Sequence, residues 1–590
     1  MFTKSSGYIL VGVSAISLSG CFSENTEKPE LGIQCQVSTS VEASDKSVQG
    51  LSLVGTAIAD AKFASSAAEI VSYDSCTDKV YVVNAQASQI DILSLDGKGA
   101  PRHSSAINLE SAGKLAGIEI GAANSIATHN GLIAVAIENK VKQENGIIAL
   151  YRSDTLELLT TYPAGALPDM VGISHDGKYI ATTNEGEPNN DYSLDPEGSI
   201  TLVDISKDVT KGDVYQIGFS DFNEGAARSN ELGMDVRISG PNATVAQDLE
   251  PEYLAFADNG KLYVSLQENN ALASINLDTK SVEAVVGLGS KSWSKYELDA
   301  SDKDKIIGNF HSYPMLESLY MPDTIDSFTI DGKSYIVSAN EGEGRTYGFD
   351  TTQKSCIARG FKWDGIDYRD TDMYDTETGL CIAYTDETRG KKLDVDPEHP
   401  LAEQLNDKKA LGRLKVANED SISKDESVYL YGARSFSIWD ENGKLVFDSG
   451  DTFAKVAFET NGKHFNSKNS NNTSGDKHSD AKGTEPEAIE TANINGRQYV
   501  FVGLEEQGGI MVYDVTEPQN SHLVTYVNNR DFDANVCTEV SKGKCKNGVY
   551  NPKAGDLGPE SIKHFQRNSS HFIAVSNEVS GTTSVYKIEF

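Results

Sequence analysis

A unit of about thirty residues recurs along this chain, and a repeat of that length restricts the fold more than any other feature. Its fullest form is residues 168–206, PDMVGISHDGKYIATTNEGEPNNDYSLDPEGSITLVDIS. Alternating apolar residues give strands at 170–174 and 179–183, an Asp-Gly turn joins them, and a third strand follows at 199–205. Related stretches stand at 68–95, 124–151, 251–277, 322–349, 486–515 and 559–588, which makes seven copies. Each reads strand, tight turn, strand, loop, strand, and most continue into a fourth strand such as 281–289. Four-stranded units repeated radially form a β-propeller. A solenoid is the competing repeat architecture, but it has no use for the strand-like residues 51–58. The last copy stops after its third strand, at Phe590, so residues 51–58 are expected to complete it. The prediction is an all-β, seven-bladed β-propeller closed by pairing its N-terminal strand with its last blade. Two long loop insertions are expected, at about 351–424 and 460–484, with blade five resuming through 428–439 and 444–449. Both are predicted to lie over the face that carries the acidic loops. The second is a low-complexity polar loop for which two readings stand, disorder or folding around an ion through Asn466, Asp476 and Asp480.

The first twenty residues read as a secretory signal: Lys4, an apolar run over 8–18, then Leu18-Ser19-Gly20-Cys21. This ending resembles a bacterial lipoprotein box, which implies lipid on Cys21 and a membrane anchor through it. Phe22 in place of an aspartate implies the outer membrane of a Gram-negative cell. Residues 21–50 are expected to be a polar tether and 51–590 the propeller.

Six further cysteines, Cys35, Cys76, Cys356, Cys381, Cys537 and Cys545, suit disulfides in an exported chain. Sequence alone allows fifteen pairings. Nearest neighbours suggest Cys35–Cys76, Cys356–Cys381 and Cys537–Cys545, and no CxxC spacing supports a thiolate metal site.

With 87 acidic against 52 basic residues the formal charge is −35, which argues against nucleic acid or an anionic membrane surface as partner. The acids follow the repeat. Glu69, Asp169, Glu252, Asp323, Glu487 and Glu560 begin first strands; Glu138, Glu185, Glu268, Glu341, Glu505 and Glu578 end second strands. In an up-and-down blade these two places share one face, so the twelve crowd the central mouth. They repel one another unless protonated, hydrogen-bonded or neutralised by a cation. Capping of backbone N–H groups accounts for some of them. The loop holding Glu185, Glu187, Asp191, Asp195 and Glu197 is the densest local set, and its oxygen chemistry suits a hard divalent cation such as Ca2+.

No HExxH, GxSxG, Walker loop or paired-cysteine zinc pattern occurs. His175, His311, His464 and His478 read as turn or loop residues. The chemistry that remains is a metal with an arginine: Arg345, beside Glu341 on the acidic face, as the group that polarises a phosphoester. A salt bridge from Arg345 to Glu341 or Glu343 is the simpler role. Arg434 and Lys482 are further candidates to reach the site.

The repeat resembles the YVTN-type propeller repeat. Over nearly the whole mature chain it is similar to the choice-of-anchor I family of exported bacterial proteins. The resemblance rests on PDM, NEGEPNNDYSLDPEGSI, DLEPEYLAF, LQENNALA, PDTIDSF, ANEGEGR, GARSFSIWD, VFDSGD, KGTEPEAIE, VGLEEQGGIMVYDV, GDLGPESI and SNEVSGTTSVY. It implies the propeller fold, and family members are often labelled alkaline phosphatase-like. Two functions follow as expectations. One is a surface-anchored lipoprotein whose acidic, calcium-binding face binds a small molecule or surface partner. The other is a metal-dependent phosphoester hydrolase working in the same funnel.

Overall fold

In the computed structural model each repeat forms an antiparallel sheet, and the described residues hold seven four-stranded sheets of this kind. The structure describes residues 45–590 apart from 234, 364–378, 420 and 542; Cys21, Cys35 and the expected signal lie outside the described residues. In blade three the strands are Pro168–Ile173, Tyr179–Asn184, Ser199–Asp204 and Asp213–Gly218. Its first turn is made by side chains as much as by backbone. The Ser174 hydroxyl accepts from the amides of Lys178 and Tyr179, Asp176 accepts from Lys178, and Gly177 supplies the φ of +70° that the turn requires.

The innermost strands are Val71–Asp74, Ile120–His129, Pro168–Ile173, Leu254–Phe256, Ile325–Ile330, Pro486–Ile494 and Pro559–Arg567, and each packs beside the next, the last against the first. Between every pair of neighbouring blades lies a buried apolar layer. Tyr81, Ile92, Ile126 and Val135 join blades one and two; Phe436, Val500 and Tyr513 join five and six. The ring closes through Val71, Val80, Phe565 and Phe572, which join blade seven to blade one. Blade seven takes its outer strand from Gly50–Ile58, which pairs with Thr582–Glu589 from Leu51 opposite Ile588 to Ile58 opposite Thr582. The expected closure is therefore present.

The insertion in blade five is larger than its polarity suggested. The chain leaves after Lys333–Ala339 and resumes at Phe436–Asp440, which pairs with that strand. Val428–Leu430, expected within blade five, instead pairs in parallel with Leu316–Leu319 of a separate three-stranded sheet. Trp293, Leu298, Leu316, Leu401, Leu405, Leu414 and Val428 give that region a core of its own. Periodicity missed it because part of the core comes from residues 290–320, before the blade begins.

The second insertion follows helix Thr452–Asn461, and its side chains turn inward: Phe465 and Ser467 are wholly buried. The Asn466 amide donates to Ser479, Asp476 accepts from Ser479, and Asp480 pairs with Arg389 and Arg413. The disulfides Cys356–Cys381 and Cys537–Cys545 are formed; Cys76 is disulfide-bonded too, and its expected partner Cys35 lies outside the described residues.

Candidate functional site

The blade itself brings acids to the axis. Pro168 pairs with Asn184, Pro486 with Leu504 and Pro559 with Asn577, and in all three blades the register slips immediately afterwards. Proline has no N–H to offer the ladder, and a bulge turns the next side chain out of the sheet. Asp169, Glu487 and Glu560 follow those prolines, and all three line the central cavity. At the end of the second strand an asparagine holds the neighbouring strand. Asn184 donates to Thr201 Oγ1 (3.1 Å), Asn340 to Ser437 Oγ (2.8 Å) and Asn577 to the Thr582 carbonyl (3.2 Å). The glutamates after them, Glu185, Glu341 and Glu578, stand at the axial end of that strand.

The cavity measures about 460 Å³ and is lined by Glu69, Asp169, Glu185, Glu252, Asp323, Glu341, Glu343, Glu487 and Glu560. Among the described residues, no lysine or arginine lines it. One oxygen each of Glu69, Glu252 and Glu487 is buried without a hydrogen-bond partner. Burial, then the facing Glu578, pushes Glu69 up to about 7; burial, then Asp323 and Glu187, pushes Asp169 up to about 8. Glu252, Glu487 and Glu560 are driven well above the carboxylate range by burial and then by neighbouring acids. The arrangement therefore holds protons, or a cation in their place, at neutral pH.

Two sets of carboxylates approach closely enough to share one ion: Asp323, Glu341 and Glu487, and Glu69, Glu560 and Glu578, each with ligand oxygens within 4.8 Å of one another. Oxygens on opposite sides of a calcium ion lie about 4.8 Å apart, so the spacing fits. A further set, Glu341, Glu485 and Glu505, meets the same test, as do His478, Glu485 and Glu506.

The loop read as the densest site does not gather. Glu185 lines the cavity, Glu187 lies 3.5 Å from the Tyr347 hydroxyl, and Asp191 pairs with Arg359 of the insertion. Asp195 is half-buried and Glu197 exposed. Among the described residues, none of the sets above includes Glu187, Asp191, Asp195 or Glu197. Loop spacing placed them near one another in sequence, but Asp191 turns to Arg359 of the insertion while Glu185 turns to the cavity.

Arg345 also departs from expectation. It is buried away from the cavity, with Nη1 3.2 Å from Asp248 Oδ1, Nη2 3.1 Å from Glu250 Oε2 and further bonds to Ser239 Oγ and the Asp248 carbonyl. Its donors are spent on Asp248 and Glu250, which leaves none for a phosphoester beside Glu341 and rules out the Glu341 and Glu343 salt bridges. Lys482 makes those pairs instead. Arg434 is buried on the carbonyls of Asp299, Ser479 and Ala481. Of the other strand-end acids, Glu138 accepts from the Ala122 backbone amide (2.9 Å), a capping role, and Glu505 accepts from the Asn469 side chain of the second insertion (2.8 Å).

Sequence reasoning missed Asp248, Glu250 and Glu485, and treated His478 as a loop residue. His478 is buried between Glu485 Oε2 (3.2 Å) and Glu506 Oε1 (3.5 Å). The signal available was the acids just before the prolines, Asp248-Leu-Glu250-Pro251 and Glu485-Pro486, one to three residues outside the repeat as drawn.

Against known proteins, residues 69–518 match the model of the choice-of-anchor I domain. The chain belongs to that family. It is similar to the "Mesenchyme-specific cell surface glycoprotein" of Strongylocentrotus purpuratus, 27% identical over 336 residues, which is 52% of this chain and 41% of the relative. It is also similar to Gigasin-3a of Magallana gigas, 34% identical over 111 residues, 18% of this chain and 39% of that one. The family member described here thus spans about two fifths of the length of each of these relatives. Among solved structures it aligns with hydrazine synthase of Kuenenia stuttgartiensis at a TM-score of 0.43 and 9% identity, covering 90% of this chain and 97% of that one. It aligns with the Myceliophteria thermophila Cps50 (Swd1) β-propeller domain at a TM-score of 0.40 and 8% identity, covering 92% and 100%.

Proposed function

We propose that this choice-of-anchor I protein is an exported, lipid-anchored binding platform whose axial cavity holds a divalent cation, calcium first among them, for recognition of a ligand or partner at the cell surface. The observation that carries the reading is the cavity of carboxylates with unpartnered buried oxygens and, among the described residues, no lysine or arginine in its lining. All of its charged donors are hard oxygens, which favours calcium over softer metals. The disulfides and the lipoprotein-like Cys21 support export, and a relative named a cell surface glycoprotein agrees with it. The phosphoesterase reading loses its polarising group, because Arg345 is committed to Asp248 and Glu250.

The test is calorimetric titration of the chelated protein with calcium, beside magnesium and zinc, with p-nitrophenyl phosphate turnover measured on the same samples. Calcium binding that disappears in Glu487→Gln, with the fold intact and no turnover, supports the platform. Absence of binding heat and of any thermal shift sinks the cation reading; calcium-dependent turnover restores the hydrolase.

A further inference from the structure

Lys482 enters the acidic ring from the second insertion and is mostly buried there. Its ammonium donates to Glu341 Oε1, to Glu485 Oε1 and, at 3.1 Å, to Glu343 Oε2. An ammonium has three donors, so these carboxylates saturate it. Glu341, Glu485 and Glu505 are themselves a set spaced to hold one metal ion, and the lysine is paired with two of the three. A fixed positive charge of the chain's own thus stands where an ion would.

The placement is built rather than incidental. The residues just before Lys482 are held by three arginines: Arg434 donates to the Ser479 and Ala481 carbonyls, and Arg389 and Arg413 pair with Asp480 at 3.1 and 3.0 Å. Next to it, Asp323 and Glu487 form the adjoining set, which shares Glu341. There Glu487 is only 7% exposed and its Oε2 has no partner, and among the described residues no lysine or arginine pairs with Glu487 or Asp323.

We propose that the acidic ring has two adjoining cation positions, one in the axial cavity and one beside it that shares Glu341, and that Lys482 is the tethered occupant of the second. Its ammonium fills the Glu341–Glu485–Glu505 position; a divalent cation takes the position framed by Asp323, Glu487 and Glu341. Lys482 thereby sets how many ions the ring takes and keeps two divalent charges from sitting side by side. This rests on the cation reading above and adds to it the place of the ion and the residue that limits its number.

The experiment counts calcium ions per chain by native mass spectrometry and calorimetry for the wild-type protein, Lys482→Met and Lys482→Arg. Lys482→Met is expected to bind one calcium more than wild type, and Lys482→Arg the wild-type number. In parallel, wild-type protein is acetylated with an N-hydroxysuccinimide ester with and without calcium, and modification at Lys482 is read by peptide mass spectrometry. Lys482 is expected to stay protected in both conditions, because ion and ammonium occupy different positions. A Lys482→Met protein that binds no additional ion overturns the proposal, as does calcium that exposes Lys482 to acetylation. Should Lys482→Met not fold, the acetylation arm decides alone. A wild-type protein that binds no calcium overturns the functional reading itself, a result distinct from an unchanged count in the variant.

Discussion

If the axial cavity holds a divalent cation, its removal is expected to leave a fold that weakens as pH rises, the opposite of ordinary acid denaturation. Glu69 illustrates the sign. Its ordinary value is 4.5, and burial followed by the charge of Glu578 raises it to about 7 in the folded chain. Between those two values the folded state holds a proton that the unfolded state has released, so stability falls with pH across that window and is flat above and below it. The rise at Glu69 corresponds to about 3 kcal/mol. Asp169 and Glu341, each raised to about 8, carry the slope upward in pH, though the groups titrate together and their contributions do not add. Glu485 acts in reverse. Despite burial, Lys482 and His478 hold it at about 2, so its contribution is present above 4.5 and lost in acid as pH falls through 2. The assay is urea unfolding in chelator and in saturating calcium, at about pH 5 and about pH 8.5. In chelator the protein is expected to lose about 3 kcal/mol or more on going to the higher pH, and calcium is expected to cancel most of that loss. Stability in chelator that is unchanged or higher at pH 8.5 would refute the reasoning, because it would mean that the ring is already ionised and solvated in the folded state.

Other perturbations reach separate parts of the structure. Arg345→Met leaves Asp248 and Glu250 buried without their cation and should cost about 3–5 kcal/mol, read as a lowered unfolding midpoint; a variant of unchanged stability would return Arg345 to the list of functional groups. Replacing Cys356 and Cys381 together by serine opens a bridge spanning 25 residues and should cost about 3–4 kcal/mol, confined to the insertion and visible as faster proteolysis there. Deleting residues 45–58 strips the partner from Thr582–Glu589 and should leave a protein that aggregates through that edge, measured by light scattering.

How far the sequence could be read depended on whether the interactions were local. The blades were legible because each is a hairpin-connected unit, and its alternation, turn and proline recur within about thirty residues. The axial acids were legible for the same reason: Glu487 and Glu560 hold the same place in the unit as Asp169. The pairings that decide what those acids do are not local. Arg345 meets Asp248 and Glu250 from about a hundred residues away, and Lys482 meets Glu341 across 141. Nothing in the periodicity of either segment encodes those distances. The core around Trp293 and Leu414 was hidden likewise, since one part of it precedes blade five and the other interrupts it.

The acids of the repeat therefore fall into two kinds, and their surroundings separate them. Where the blade needs a carboxylate for its own sake, the side chain finds a donor: Glu138 takes the Ala122 amide. Glu69, Glu252 and Glu487 each keep a buried oxygen without one. A buried, unpartnered carboxylate costs stability, so the fold alone gives no reason to keep one, still less several around one cavity. The cost is removed if the cavity is filled by a cation. Lys482 already does this on one side of the ring, which leaves Asp323 and Glu487 as the place where an ion from outside has most to neutralise.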